Sequence, residues 1–258
     1  MSYTNGLDKP SDYFEAVTYT GNGLNDRAVN TTESFAPGFV WCKSRSVAGG
    51  QHFLGDSVRG DGKLLSSEST AAEINAPGNG VTSTGAIWGD GVGVNGNNET
   101  YVNWFWKAGT SFTNDGSVNQ DAGFSICSFT GNGSNSQTVK HGLSQAPELI
   151  ILKARSQGTY GWMVYDAING AGKYLNLAAT NGSTADTGMW SNTAPTSSVF
   201  SLSNGANVAI TNPNTVTIIS YCFHSVQGYS KIGKFTGNGN ANGAFVYTGF
   251  KPAFVMLK

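Results

Sequence analysis

Short runs of alternating or continuous apolar residues, broken by Gly and Asn, recur along the chain, and no stretch keeps a helical period. Residues 16–20 and 124–130 are rich in β-formers and stop at a Gly-Asn-Gly turn. Residues 39–43 and 149–153 are nearly continuous apolar runs that follow a Pro. Such a run predicts a central strand enclosed on both faces, and the Pro fits its first position. Further strands are predicted at 53–54 and 162–165, 64–65 and 174–177, 199–202, and 101–106 and 216–223. Residues 69–74 could make one helical turn, and nothing longer is predicted. Short strands with turn signals between them predict an all-β fold of antiparallel sandwich or jelly-roll-like units.

These elements repeat. Thr20-Gly21-Asn22-Gly23 recurs at Thr130-Gly131-Asn132-Gly133 and at Thr236-Gly237-Asn238-Gly239, each after an aromatic residue, Tyr19, Phe129 or Phe235. Pro37, Pro147 and Pro252 then open the apolar runs that end at Lys43, Lys153 and Lys258. Lys43 and Lys153, Arg45 and Arg155, Asp56 and Asp166, Gly60 and Gly170, and Leu65 and Leu175 are all 110 residues apart. The register returns at an offset of 117, where residues 100–106 match 217–223. The chain therefore divides into an N-terminal segment 1–15, a first β unit 16–108, a polar linker 109–123 without a strand pattern, a second β unit 124–233, and a partial third repeat 234–258. The matched Trp41, Leu65, Trp104, Ile151, Leu175 and Tyr221 are the predicted core. The third copy reaches only the residue matching Lys43 and Lys153, which leads us to expect a longer native chain. The other readings are that it completes the second unit or docks on another subunit.

Composition narrows the function. Charged residues are 12% of the chain, against a usual ~25%. A net charge of −1 gives no basic footprint, so neither nucleic-acid binding nor membrane insertion is expected. Cys42, Cys127 and Cys222 lie far apart and are odd in number, which suits buried free thiols from a reducing cytoplasm.

Candidate chemistry is sparse, and each case has a plain structural alternative. The Gly-Asn-Gly backbone could cradle an anion, or simply turn the chain. Asp56 and Asp166, with Arg59, Lys63 or Lys173, could contact a sugar, or form ion pairs and anchor loops. A glycosidase needs two facing carboxylates, and Asp166 has no acidic neighbour in sequence before Asp186. His52, His141 and His224 occupy unrelated repeat positions, unlike a metal cluster. Asp90, Asn95, Asn97 and Asn98 could offer oxygens to Ca²⁺, or make a polar loop. Trp88 and Trp190, in the variable loops, could stack on sugar rings or pack over a sandwich end. No metal or cofactor and no catalytic residue is called for.

The chain also resembles a family of tailed-bacteriophage virion proteins common in marine and freshwater phages. The resemblance rests on the Lys9-Pro10-Ser11-Asp12-Tyr13-Phe14 opening, the TGNG steps, the Pro37-Gly38-Phe39-Val40-Trp41-Cys42-Lys43 strand and the Asp56-Ser57-Val58-Arg59-Gly60 segment. It extends to Tyr101-Val102-Asn103-Trp104-Phe105-Trp106 and to the stretch from Trp190 through Pro195 to Leu202. It implies a structural role in a tail fibre or surface appendage, where neighbouring modules can be lectin-like, and it carries no known catalytic residues. The expectation is a non-enzymatic virion protein made in the host cytoplasm. Its expected partners are other virion proteins, copies of itself (a trimer in such fibres) and a host surface glycan. The alternatives are a glycan-binding adhesin with Trp88, Trp190, Asp56, Arg59 and Asp166 as contacts, and a polysaccharide depolymerase.

Overall fold

The computed structural model describes residues 7, 9–33, 35–112, 115–203 and 211–258. A single 3-10 turn, Pro10–Asp12, precedes the first strand. The first unit then runs β1 (Phe14–Thr20), β2 (Arg27–Asn30), β3 (Pro37–Ser44), β4 (His52–Asp56), β5 (Lys63–Ser66), β6 (Ile74–Asn75), β7 (Gly80–Val81), β8 (Gly85–Trp88), a helical turn α1 (Val92–Asn95) and β9 (Thr100–Lys107). The second runs β10 (Thr110–Phe112), β11 (Gly116–Asn119), β12 (Phe124–Thr130), β13 (Gln137–Lys140), β14 (Leu149–Ala154), β15 (Trp162–Asp166), β16 (Lys173–Asn176), β17 (Thr184–Ala185), β18 (Val199–Leu202) and β19 (Thr217–Phe223).

Two large antiparallel sheets share one strand order. The first is β1-β9-β3-β4-β5-β6, and the second is β10-β11-β12-β19-β14-β15-β16-β17. The closing strand of each unit lies between its first strand and its Pro-led strand, so β3 pairs with β9 and β4 as β14 pairs with β19 and β15. Each large sheet is backed by a small one, β2-β8-β7 or β13-β18.

Why the Pro-led strands are apolar throughout follows from their position. Successive side chains of a strand point to opposite faces. On β3, Val40 and Cys42 pack outward under the small sheet with Val29, Ala86 and Trp88. Phe39 and Trp41 point the other way, into a cluster that also contains Ile126, Ile151, Trp162, Val164, Ile219 and Tyr221 of the second unit. On β14, Ile151 shares that cluster, while Ile150 and Leu152 join Val139, Phe200 and Leu202 of the second small sheet. The molecule is thus a β-sandwich of sheets in which the two large sheets bury one face against each other.

Several expectations need correction. Residues 109–123 are not a strandless linker: β10 and β11 extend the second large sheet beyond β12. Only Phe112 and Val118 alternate there amid Thr, Ser, Asn and Gly, so the period-2 signal is weak. Residues 69–74 form no helical turn, and residues 234–258 form no strand, although their sequence repeats two strands. Of the predicted core, Trp41, Leu65, Ile151 and Tyr221 are buried. Trp104 and Leu175 are half-buried at the rim of the shared cluster. Leu65 lies 1% exposed, whereas the rim position leaves its counterpart Leu175 partly open.

A core shared by both units predicts joint unfolding. Ile151→Ala removes a buried branched side chain and should cost about 2–5 kcal/mol. Urea unfolding should then show one transition, moved as a whole, in far-UV and tryptophan signals; two separate transitions would contradict a common core.

Candidate functional site

The densest polar constellation lies inside the seam between the large sheets. Asp56 ends β4, and its Oδ1 accepts the backbone N–H of Val58 at 3.0 Å and of Arg59 at 2.8 Å. This local turn folds Arg59 back, so that its Nε donates to Asp56 Oδ2 at 2.5 Å, with both side chains fully buried. Arg59 Nη2 donates to the Leu54 carbonyl at 2.9 Å and to the Tyr221 hydroxyl at 3.1 Å. The Tyr221 O–H, from the second unit, donates to Asp56 Oδ2 at 2.7 Å. Arg59 Nη1 reaches Glu73 at 3.3 Å. Glu73 is gripped bidentately by Arg155 of the second unit, at 2.8 and 3.0 Å, and its N–H donates to the Arg155 carbonyl at 2.8 Å.

The electrostatics fix the charge states. Burial alone would lower the Arg59 pKa, but the adjacent Asp56 carboxylate more than reverses this and holds it above the ordinary value. Burial drives the Tyr221 phenol well above its usual range. The set is therefore an ion pair capped by a neutral phenol, with each group's hydrogen-bonding capacity engaged. It can join sheets; as placed, it offers no open face to a ligand.

The other predicted contacts are not brought together. Trp88 is 0% exposed and Trp190 1%, inside the cores on the outer side of each large sheet, so neither is a stacking platform. Trp190 packs edge-on to Tyr165 at 5.6 Å. The Gly/Asn-rich sequence around them reads as a loop, but each unit's small sheet closes over that region. Asp166 accepts both the backbone and the side-chain N–H of Asn169, each at 2.8 Å. Asn169 stands where the repeat places Arg59, so the second unit has no copy of the ion pair.

The Gly-Asn-Gly steps are clamped turns. Asn22 N–H donates to Asn95 Oδ1 at 3.0 Å, and Asn95 Nδ2 returns a bond to Asn22 Oδ1 at 3.0 Å. Asn132 and Asn212 repeat both bonds at 3.0 Å. A Cβ on Gly21 would stand 2.2 Å from the Gly96 carbonyl, and Gly23 has φ +65°, so both positions require Gly. The Asn22 and Asn132 N–H groups are spent on asparagine side chains and are not free for an anion. Asn95 serves this clamp rather than a Ca²⁺ loop, and no group of three or more His, Cys, Asp or Glu could hold a metal among the described residues. Asn95 and Asn212 were missed as partners, although their spacing of 117 equals the closing-strand offset. Among the histidines, His52 Nδ1 accepts the Trp41 indole N–H at 3.0 Å, and His141 Nε2 lies 3.0 Å from the Thr196 carbonyl. Cys42, Cys127 and Cys222 are buried and free.

Lys153 is a further missed residue. It is fully buried, and its Nζ donates to the carbonyls of Thr70 at 3.1 Å, Ala154 at 2.9 Å and Tyr160 at 2.9 Å. Three acceptors match the three ammonium donors. Burial lowers its pKa to about 8.

An all-β sandwich whose polar side chains are turned inward to hold two sheets together is the class these features define. The chain belongs to the family described as Domain of unknown function (DUF7483), which matches residues 9–258. No curated protein and no solved structure matches it.

Two outcomes test the seam. Arg59→Met leaves the Asp56 carboxylate buried without its counter-charge and should cost about 3–5 kcal/mol. Tyr221→Phe removes only hydrogen bonds to charged groups and should cost about 1.5–3 kcal/mol. Denaturant titration of both variants and the double variant should show strong coupling; simple additivity would place the groups apart. For Lys153, the folded pKa lies below the unfolded value of 10.5, so between about pH 8 and that value the unfolded chain holds the extra proton. Stability relative to Lys153→Met should therefore rise as pH increases from 8 towards 10. A stability difference that stays flat across that window would show Lys153 titrating normally.

Proposed function

We propose that this chain is a non-enzymatic structural module of a bacteriophage virion, in a tail fibre or surface appendage. It is made in the host cytoplasm and assembles with other virion proteins and with copies of itself. One structural observation carries the structural half of this reading. The residues best suited to ligand chemistry, Asp56, Arg59, Glu73, Arg155 and Tyr221, are consumed in a network that joins two sheets. The virion half rests on the ordered resemblance from Lys9 to Leu202, and the low charge content suits a module packed among other proteins.

A glycan-binding role would have to use other groups than Trp88 and Trp190, which are buried. A depolymerase role is poorly supported, because Asp56 is neutralised by Arg59 and Glu73 is held by two arginines.

The test is location. Peptides of this chain should be found by mass spectrometry in purified, nuclease-treated virions, and labelled antibody should decorate tails or fibres rather than vacant capsid shells. Their absence from particles, with the protein abundant in infected cytoplasm, would reject the reading. A glycan array with the purified chain should stay blank; reproducible binding to one glycan class would favour the adhesin.

A further inference from the structure

We propose that the joint between the two units is a head-to-tail contact that a further unit of the same repeat can extend, and that residues 234–258 form part of the surface that receives it. This inference is independent of the virion reading.

The joint is directional. The second unit gives Lys153 to the Thr70 carbonyl, Arg155 to Glu73, and the Trp162 indole N–H to the Ser66 carbonyl at 2.8 Å. The matched residues of the first unit, Lys43, Arg45 and His52, reach no other unit. Lys43 bonds its own Gly50 carbonyl, Arg45 is exposed, and His52 takes the Trp41 indole. Conversely, Asp56 of the first unit receives Tyr221, while its counterpart Asp166 bonds only Asn169. One contact thus uses a different surface of each unit, and leaves one of each kind open. Contacts of this type continue to further units or close into rings.

Residues 234–258 already stand at that opening in matched fashion. Phe254 and Met256 correspond in the repeat to Phe39 and Trp41 and to Leu149 and Ile151, and all six meet in one cluster. The Phe254 ring lies 5.1 Å from Trp104 and 5.5 Å from Trp106. Lys258 Nζ donates to the Ala179 carbonyl, in the loop matching the one that receives Lys153. Gly239 has φ +64°, as Gly23 and Gly133 have +65° and +67°, and Asn240 N–H donates to Asn238 Oδ1 at 3.0 Å, as Ser134 N–H does to Asn132.

What the segment lacks is a pairing partner. In both full units the first and Pro-led strands are separated by the closing strand, so the matching parts of 234–258 cannot pair with each other directly. They form no strand, and between them Phe245 is 91% and Tyr247 80% exposed. The occupant that fits this surface is a closing strand of the β9 type together with the rest of one such unit.

Two experiments decide this. Residues 44–108 appended after Lys258 complete a third unit in register. Hydrogen exchange in 234–258 should then slow at least about tenfold, and Arg45→Glu should undo much of that protection by repelling the added copy of Glu73. The same substitution should leave exchange in the unextended chain unchanged. Exchange at the original rate beside a folded extension, or an equal effect of Arg45→Glu in both chains, would overturn the proposal. The second measurement does not depend on the extension folding. A synthetic peptide of residues 98–108, added to the unaltered chain, should protect 234–236 and 253–258; failure of this peptide to protect them overturns the proposal as well.

Discussion

A guanidinium can be buried between two sheets only if its charge is neutralised and its donors are used, because an unpaired buried charge costs several kcal/mol. Arg59 meets that condition with four groups: Asp56 beside it, the Leu54 carbonyl on the preceding strand, Glu73, and Tyr221 across the seam. The Tyr221 contact requires the sheets to face each other in one register. Moving β19 by one residue would turn Tyr221 to the opposite face of its sheet and take its hydroxyl from Asp56. The surrounding aromatic packing is permissive by comparison. Phe39 and Tyr221 lie with ring centroids 4.5 Å apart, and apolar contacts of that kind tolerate small slides that an ion pair does not.

The two-sided burial of the large sheets explains the composition of the strands. β3 and β14 must be apolar on both faces, because a small sheet covers one side and the other unit covers the other. Asparagines are then placed at the turns. There the Asn95 and Asn212 side chains bond the Gly-Asn-Gly backbone, and the turn needs no strand to hold it. The charged groups that the seam does hold, two arginines, Asp56 and Glu73, compensate one another.

Most strands were legible because the chain states them twice, once in each unit. The 110-residue offset marks β3 to β5 against β14 to β16, and the continuous apolar runs already say that β3 and β14 are enclosed on both sides. β10 and β11 were not legible, since Phe112 and Val118 give too little alternation among Ser, Thr and Asn. Trp88 and Trp190 misled for a different reason. Glycine-rich flanks look like exposed loop, yet Trp88 lies on β8, the middle strand of the small sheet, and is buried in the core, and Tyr165 receives Trp190. Asp56 and Arg59 were visible as a pair three residues apart. Their third member was not, because Tyr221 is 162 residues from Arg59 and reads as one more core aromatic.

The second unit shows what the ion pair is for. Its Asp166 keeps the turn geometry, with Asn169 in place of Arg59, and the fold around it is intact. The turn therefore needs only the carboxylate accepting local N–H groups, and the guanidinium is dispensable to the unit as such. Arg59 is present at the one position where an Asp of this kind meets a tyrosine from a neighbouring unit. Its charge compensates the carboxylate that the neighbour buries. At half-buried Asp166 the same turn is held with a neutral Asn169 alone. The sequence difference between two otherwise matched turns thus follows from which surface is buried at the joint.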